Sequence, residues 1–531
     1  MRSPLPALIP VLVALAACGS CGEDEAPSAP EEHEDELDRR PAPPPEGLGY
    51  VLRLRGGAAA LEAVGAALEA PPLRRMLEAT PLGSPGEHAP FPPAVLERRS
   101  GDVLAASVID GRGEEAWVVA VEADLGDLGP GEALARRPGG PRGARWLGPG
   151  RTALEADGWV VASERPEVLE AALPFLLFTV AAEEAEAGVH ARFPEDLAGG
   201  PLRAFVDRAA AQQARQARAA IAAERARHAE APPFGDPEPL VAWLEAEARG
   251  LAAYLPDLGA GRASLLAEGG ALRLAVRFEV REGSPLAGAL AEVEPADPGF
   301  GALPAGVAWA WFRAAPGEPG WAALLEEVGG ARLAEEERAA LGALGAATRG
   351  APAIALGATE AGPFGRVGAR GLPAEAAPWN AALGAPWLRT LFGAALGCER
   401  PALRLAGAPP EARICEGGEG RLLRIDEGAL ILAPPAHPAL DATSPRLGAH
   451  PDVARLLPGP SLAAAYLDPG RVAAAGRLVA LSPFGEPPGA LRPPAPSVLR
   501  LAEEDGALLL ELRVAPHGAA QLAGAALAAG E

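Results

Sequence analysis

The chain has 531 residues, a formal net charge of −23 and 49% hydrophobic residues. All 47 basic residues are arginine, which excludes chemistry built on a P-loop lysine, a Schiff-base lysine or a kinase catalytic lysine. So acidic a balance also excludes nucleic acid as a partner, because neutralising phosphates needs dense positive charge. Ala, Gly, Arg and Pro belong to GC-rich codons, so genome composition accounts for the missing lysines.

The first element is not part of the fold. Arg2 precedes an apolar run from Leu5 to Ala17, 13 residues that include Pro6 and Pro10. The run is short for a bilayer span and has the length of a secretory h-region. It ends Leu15-Ala16-Ala17-Cys18, which resembles the lipobox of bacterial lipoproteins. The resemblance implies that residues 1–17 are a signal peptide and that Cys18 becomes the lipidated first residue of the mature chain. Lipidation of that kind adds several acyl chains, enough for stable anchoring. Gly19 follows where an inner-membrane-retained lipoprotein has Asp, so the expected location is the outer membrane, facing the periplasm.

Residues 18–46 read as an acidic, Pro-rich, disordered tether. Between positions 22 and 46 ten acidic residues stand against Arg39 and Arg40, and proline follows at 41, 43, 44 and 45. High charge with few apolar residues forms no core, and repulsion and proline both extend the chain. His33 is read as solvated within this run. Cys21 is left without a partner in the sequence pattern.

The body reads as duplicated. Residues 261–291 and 496–527 each place a strand, an acidic turn (Glu268-Gly269-Gly270 or Glu504-Asp505-Gly506), a second strand and a helix start. The alternation Leu272, Leu274, Val276, Phe278 and Leu508, Leu510, Leu512, Val514 has the period of a half-buried strand, with Arg273 and Arg277 among the polar partners of the first and Glu511 and Arg513 among those of the second. Three further blocks recur in the same order: 49–68 with 306–328, 157–173 with 427–440, and 197–213 with 457–478. The expected fold is α+β, with two homologous halves of antiparallel strands and helices at 47–297 and 298–531. A lipobox followed by repeated strand–Gly/Pro–helix units resembles an uncharacterised family of bacterial envelope proteins known only as a domain of unknown function. That resemblance implies no active site.

The halves differ by an insertion after Phe205-Val206-Asp207, with no counterpart after Tyr466-Leu467-Asp468. Residues 208–230 hold no Gly or Pro and consist largely of good helix formers. Pro232, Pro233, Gly235 and Pro237 break the pattern, and a second helix follows with Leu240, Val241, Leu244, Ala248, Leu251 and Leu255 on one face. A helical hairpin is expected over about 208–256. Arg208, Arg215, Arg218, Arg225 and Arg227 give its first helix a basic face, a candidate surface for an anionic partner or an envelope protein.

No catalytic residues, cofactor or metal site emerge. Cys398 and Cys415 lie 17 apart, and in an oxidising envelope compartment they are expected to form a disulfide that stabilises by roughly 3 kcal/mol on the loop-entropy model. The seven histidines show no metal-ligand spacing; His190 with Glu195 and Asp196 reads as a surface loop. Asp124, Asp127 and Glu132 lie in a Gly-rich loop without EF-hand spacing. Trp309 and Trp311 alternate on one strand where the first half has Leu52 and Leu54, so they read as core. The expectation is a non-enzymatic, membrane-anchored lipoprotein that binds an envelope partner or serves a structural role. The alternatives are an envelope hydrolase with a dispersed acidic site, and a ligand-binding module with a cleft between the two halves.

Overall fold

The computed structural model describes most of residues 41–193, 254–314, 353–383, 404–471 and 495–519, with scattered positions in 211–219 and 334–342. The described residues fall into two compact units. One lies within Pro10–Leu197 and Gly259–Phe278, the other within Ala198–Leu258 and Glu279–Glu531.

The first unit is an antiparallel sheet built from β1 (Leu48–Arg55), β2 (Arg99–Ile109), β3 (Glu115–Ala123), β4 (Arg136–Arg137), β5 (Arg145–Leu147), β6 (Ala153–Ala156), β7 (Trp159–Ser163), β8 (Gly188–Phe193), β9 (Leu258–Glu268) and β10 (Ala271–Val280). Its order is β4-β5-β6-β7-β3-β2-β1-β8-β9-β10. Both faces of its centre are covered, so consecutive residues Val118, Val119, Ala120 and Val121 are all buried. On one face lie α1 (Gly57–Leu68), α2 (Pro71–Glu78), α3 (Pro85–His88) and α4 (Pro93–Glu97). There Leu52, Leu54, Val103 and Val121 share a core with Ala60, Leu82, Phe91 and Val95. On the other lies α5 (Pro166–Phe175), which continues into a π-helical turn at Leu176–Val180. Val51, Leu104, Ala120 and Val161 pack there against Leu169, Leu173 and Leu176. Pro166 starts α5 where no N–H is needed. Pro174 inside it removes a donor from the i→i−4 ladder, and the wider turn follows at once.

The second unit repeats this scheme with β11 (Val307–Arg313), β12 (Ala353–Thr359), β13 (Gly362–Gly368), β14 (Glu411–Ile414), β15 (Arg421–Asp426), β16 (Ala429–Ala433), β17 (Ala463–Leu467), β18 (Ser497–Glu504) and β19 (Ala507–Val514). Its order is β14-β15-β16-β13-β12-β11-β17-β18-β19. Ala310, Phe312, Tyr466, Val498 and Ile431 share a core with Phe300, Leu303, Leu447, Val453 and Leu456. The run β6-β7-β3-β2-β1-β8-β9-β10 and the run β15-β16-β13-β12-β11-β17-β18-β19 have the same topology. Their closing hairpins turn at Gly269-Gly270 and Asp505-Gly506, all four residues at φ between 52 and 83, as a two-residue primed turn requires. In strand order β17, with Tyr466, matches β8, with Phe193; the sequence had aligned Tyr466 with Phe205.

The expected α+β class is corrected. Antiparallel strands dominate, helix makes up only 29% of the described residues, and the protein is closer to all-β. The physical reason lies in the alanines. Ala105, Ala106, Ala120 and Ala162 are fully buried in central strands, although alanine favours helix over strand in isolation. Where segments cover a sheet closely on both faces, a methyl side chain fits where a larger one overpacks.

Candidate functional site

On β1, Arg53 sits between Leu52 and Leu54 and so points to the face that α5 covers. It is 4% exposed. Its Nη1 donates to the carbonyls of Val180 (2.8 Å) and Glu183 (2.9 Å), and its Nη2 to that of Ala181 (3.2 Å). These carbonyls lie at the end of the π-helical turn, where a helix runs short of N–H donors for its last carbonyls. Asp102 on β2 completes the centre. Its carboxylate accepts from Arg53 at 3.4 Å, from Arg55 at 2.9 Å and from the Gly56 N–H at 2.9 Å. Burial lowers the pKa of Arg53 and the adjacent Asp102 opposes that shift; hydrogen bonding to Asp102 raises that of Arg55.

The same face continues as a line of cations. Across β1–β8, Val51 stands opposite Arg192 and Arg53 opposite His190. Across β8–β9, His190 stands opposite Ser264 and Arg192 opposite Arg262. The two-residue turn between β9 and β10 places Arg277 opposite Arg262. The same register sets Gly261 against Phe278, where a Cβ would come within 2.5 Å of the ring. Arg192, Arg262 and Arg277 therefore form one row over three strands. Like charges directly opposite are unfavourable, and Glu183 lies among them: it pairs with Arg192 and stands 3.9 Å from Arg262. Arg273, two same-face positions along β10 from Arg277, lies 3.7 Å from Glu268. Burial first, then Arg262 and Arg53, lower the Arg192 pKa. Burial also lowers that of His190, whose Nε2 is 2.8 Å from the Glu186 carbonyl. The Arg192 side chain is 24% exposed and that of Arg262 64%, so the row opens outward. Forked guanidinium donors suit planar carboxylates and phosphates.

The second unit uses its buried charges internally. Glu511 on β19 lies 3.2 Å from Arg500 and 3.1 Å from Arg513. Asp468 pairs with Arg471 at 3.2 Å, while Arg471 donates to the Ala305 carbonyl at 2.6 Å. His437 accepts the Ala439 N–H on Nδ1 at 2.9 Å, and its Nε2 lies 3.0 Å from the Gly362 carbonyl and 2.8 Å from Thr359 Oγ1. A carbonyl only accepts, so Nε2 carries the proton. This histidine joins the β12–β13 turn to the segment after β16.

Of the residues singled out in the sequence, Cys18, Cys398, Cys415, Arg208, Arg225 and Arg227 lie outside the described residues, as do Cys21, Glu195 and Asp196. Arg215 and Arg218 are helical and exposed. His190, read as a loop residue, lies instead within β8, opposite Arg53. Trp309 and Trp311, read as core, are half-buried, whereas Ala308, Ala310 and Phe312 on the alternate positions of β11 are buried. Sequence reasoning missed the row of Arg192 and Arg262, which are 70 positions apart by their numbering. Its one legible trace is the alternation of Arg273 and Arg277. Among the described residues, no three of His, Cys, Asp or Glu are grouped to hold a metal.

Fold and geometry together define a class: antiparallel sheets pinned by buried arginine–carboxylate centres, one with an outward row of arginines. No family model matches the chain, and no curated protein does. Among solved structures, crystal form I of TP0453 is similar at 9% identity over 45% of this chain and 77% of that one, with a TM-score of 0.20. Crystal form III of TP0453 is similar at 10% identity over 50% and 89%, with a TM-score of 0.21. Neither likeness bears on activity or partner.

Proposed function

We propose that the protein is an envelope lipoprotein, anchored through Cys18 in the outer membrane and facing the periplasm, that binds an anionic envelope component or protein instead of turning over a substrate. The observation that carries this reading is the order Leu15-Ala16-Ala17-Cys18 directly after a 13-residue apolar run. An acidic segment then separates that cysteine from β1. The common strand order of the two units supports descent of both from one copy. The buried charges support a binding or structural role, because Arg53, Asp102, Asp468 and Glu511 hold strands, turns and a helix end in place. In this reading Cys398 and Cys415 form a disulfide, and Arg208, Arg215, Arg218, Arg225 and Arg227 offer a second candidate surface for an anionic partner. Fractionation of cells expressing Cys18→Ala tests the anchor. The variant is expected in the soluble fraction, whereas the parent needs detergent for extraction. A Cys18→Ala protein that still needs detergent overturns the reading.

A further inference from the structure

A cleft of about 270 Å³ opens beside α3 and α4 of the first unit, lined among the described residues by Ser84, Pro85, Gly86, Glu87, Leu96 and Arg99. Its walls are held from behind. Leu82 and Val95 are buried in the core next to it, and prolines at 81, 85, 90, 92 and 93 restrict the backbone. The two helices meet so closely that a Cβ on Gly86 would lie 2.7 Å from Leu96 Cδ1. The Ser84 N–H donates to the Thr80 carbonyl and the Ser84 hydroxyl to the Glu78 carbonyl, both at 2.9 Å. The second bond uses the hydroxyl's proton and leaves its lone pairs free to accept. A site held in this way needs little ordering when a ligand enters.

The cleft carries one carboxylate and one guanidinium. Glu87 is exposed and Arg99 half-buried, and neither side chain has a hydrogen bond or ion pair among the described residues. A simple anion at Arg99 meets repulsion from Glu87, and a simple cation at Glu87 meets repulsion from Arg99. A ligand with both charges satisfies both groups. Pro85 and Leu96 add an apolar wall. The volume falls below the roughly 300–1,000 Å³ of pockets for drug-sized ligands, which limits the ligand to a small one.

We propose that this cleft binds a free α-amino acid with an apolar side chain. Arg99 takes the carboxylate, which its forked donors match. Glu87 and the Ser84 hydroxyl take the ammonium group, and Pro85 and Leu96 take the side chain. The site is distinct from the arginine row, and the inference stands or falls separately from the anchor at Cys18.

Equilibrium dialysis of radiolabelled L-leucine against the full chain tests this. Saturable binding is expected below about 10 mM. Arg99→Gln and Glu87→Gln should each weaken it about tenfold or more, the loss of one charge-assisted contact. Glu97→Gln, an exposed change at the end of α4 outside the cleft, should leave it unchanged. Isocaproate, which lacks the amine, and isoamylamine, which lacks the carboxylate, should each compete at least about tenfold less well than leucine, for the same reason. Both glutamine variants keep their size and sit at solvent-accessible positions, so unchanged melting temperatures are expected to show that they fold. No saturation up to about 10 mM, an equal effect of Glu97→Gln, binding that survives both cleft variants, or isocaproate competing as well as leucine overturns the proposal.

Discussion

Arg53 and Asp102 form an ion pair inside the first unit, Nη2 to Oδ2 3.4 Å, with side chains 5% and 7% exposed. The pair joins four elements. Arg53 carries β1 to the end of the α5 extension through three carbonyls, and Asp102 carries β2 to the turn that starts α1 through Gly56.

Replacing Asp102 by Ala should therefore cost about 3–5 kcal/mol, because Arg53 is left as an uncompensated buried charge. Asp102→Asn keeps an acceptor for Gly56 and should cost less. Urea unfolding of both variants measures this. A loss below about 1 kcal/mol for the Ala variant, the scale of an exposed pair, would mean that solvent already screens the centre.

His190 should make the first unit acid-sensitive. Burial lowers its pKa from the ordinary 6.5, Arg53 adds to the effect, and the Glu186 carbonyl opposes it. The unfolded chain then binds the proton more readily than the folded one. The contribution to stability is complete above pH 6.5 and is lost as pH falls through the lower, folded value. Unfolding free energies between about pH 7.5 and about pH 5 should fall more steeply for the parent than for His190→Gln. Parallel curves would show that the imidazole titrates alike in both states.

Tyr466 is fully buried and its hydroxyl has no hydrogen-bond partner among the described residues. Burial first, and then Asp468, push its pKa up. Removing an unsatisfied hydroxyl relieves a desolvation cost of about 1–3 kcal/mol, and the ring keeps its edge contact with Phe300 at 6.5 Å. Tyr466→Phe should raise the melting temperature and stabilise the second unit by about 1 kcal/mol. A clear drop would reveal a bound water as a partner.

Glu511 is 1% exposed between Arg500 and Arg513. Glu511→Ala should cost about 3 kcal/mol, because Arg500 and Arg513 both lose their buried carboxylate and Arg500 keeps only the more exposed Glu504, whereas Arg500→Met combined with Glu511→Leu should be close to neutral. A thermal-denaturation cycle over the single and double variants separates the two. Equal losses in the single and the double variant would count against the pair.

Much of the strand layout was legible. Period-two alternation placed the β9–β10 and β18–β19 hairpins, and the acidic Gly turns between them stand where the sequence puts them. Three readings failed for separate reasons. The fold class failed because alanine-rich segments look helical until close packing on both faces selects small strand residues. His190 failed because its flanking acidic residues outweighed a strand pattern of only six residues. The tryptophans failed because Leu52 and Leu54 are covered by the helices between β1 and β2, while Trp309 and Trp311 keep part of their surface exposed.

From the sequence alone came the apolar run that ends at Cys18, the acidic segment, the repeated order of strands and the absence of lysine. These are local or compositional properties, and each is carried by residues close together in the chain. The tertiary structure alone decided which charges meet. Arg53 finds Asp102 and the carbonyls of Val180, Ala181 and Glu183, and Arg192 finds Arg262, only after strand pairing has set the register. Register depends on which face of every strand is buried and which turn joins it to the next, so no single stretch of sequence contains it.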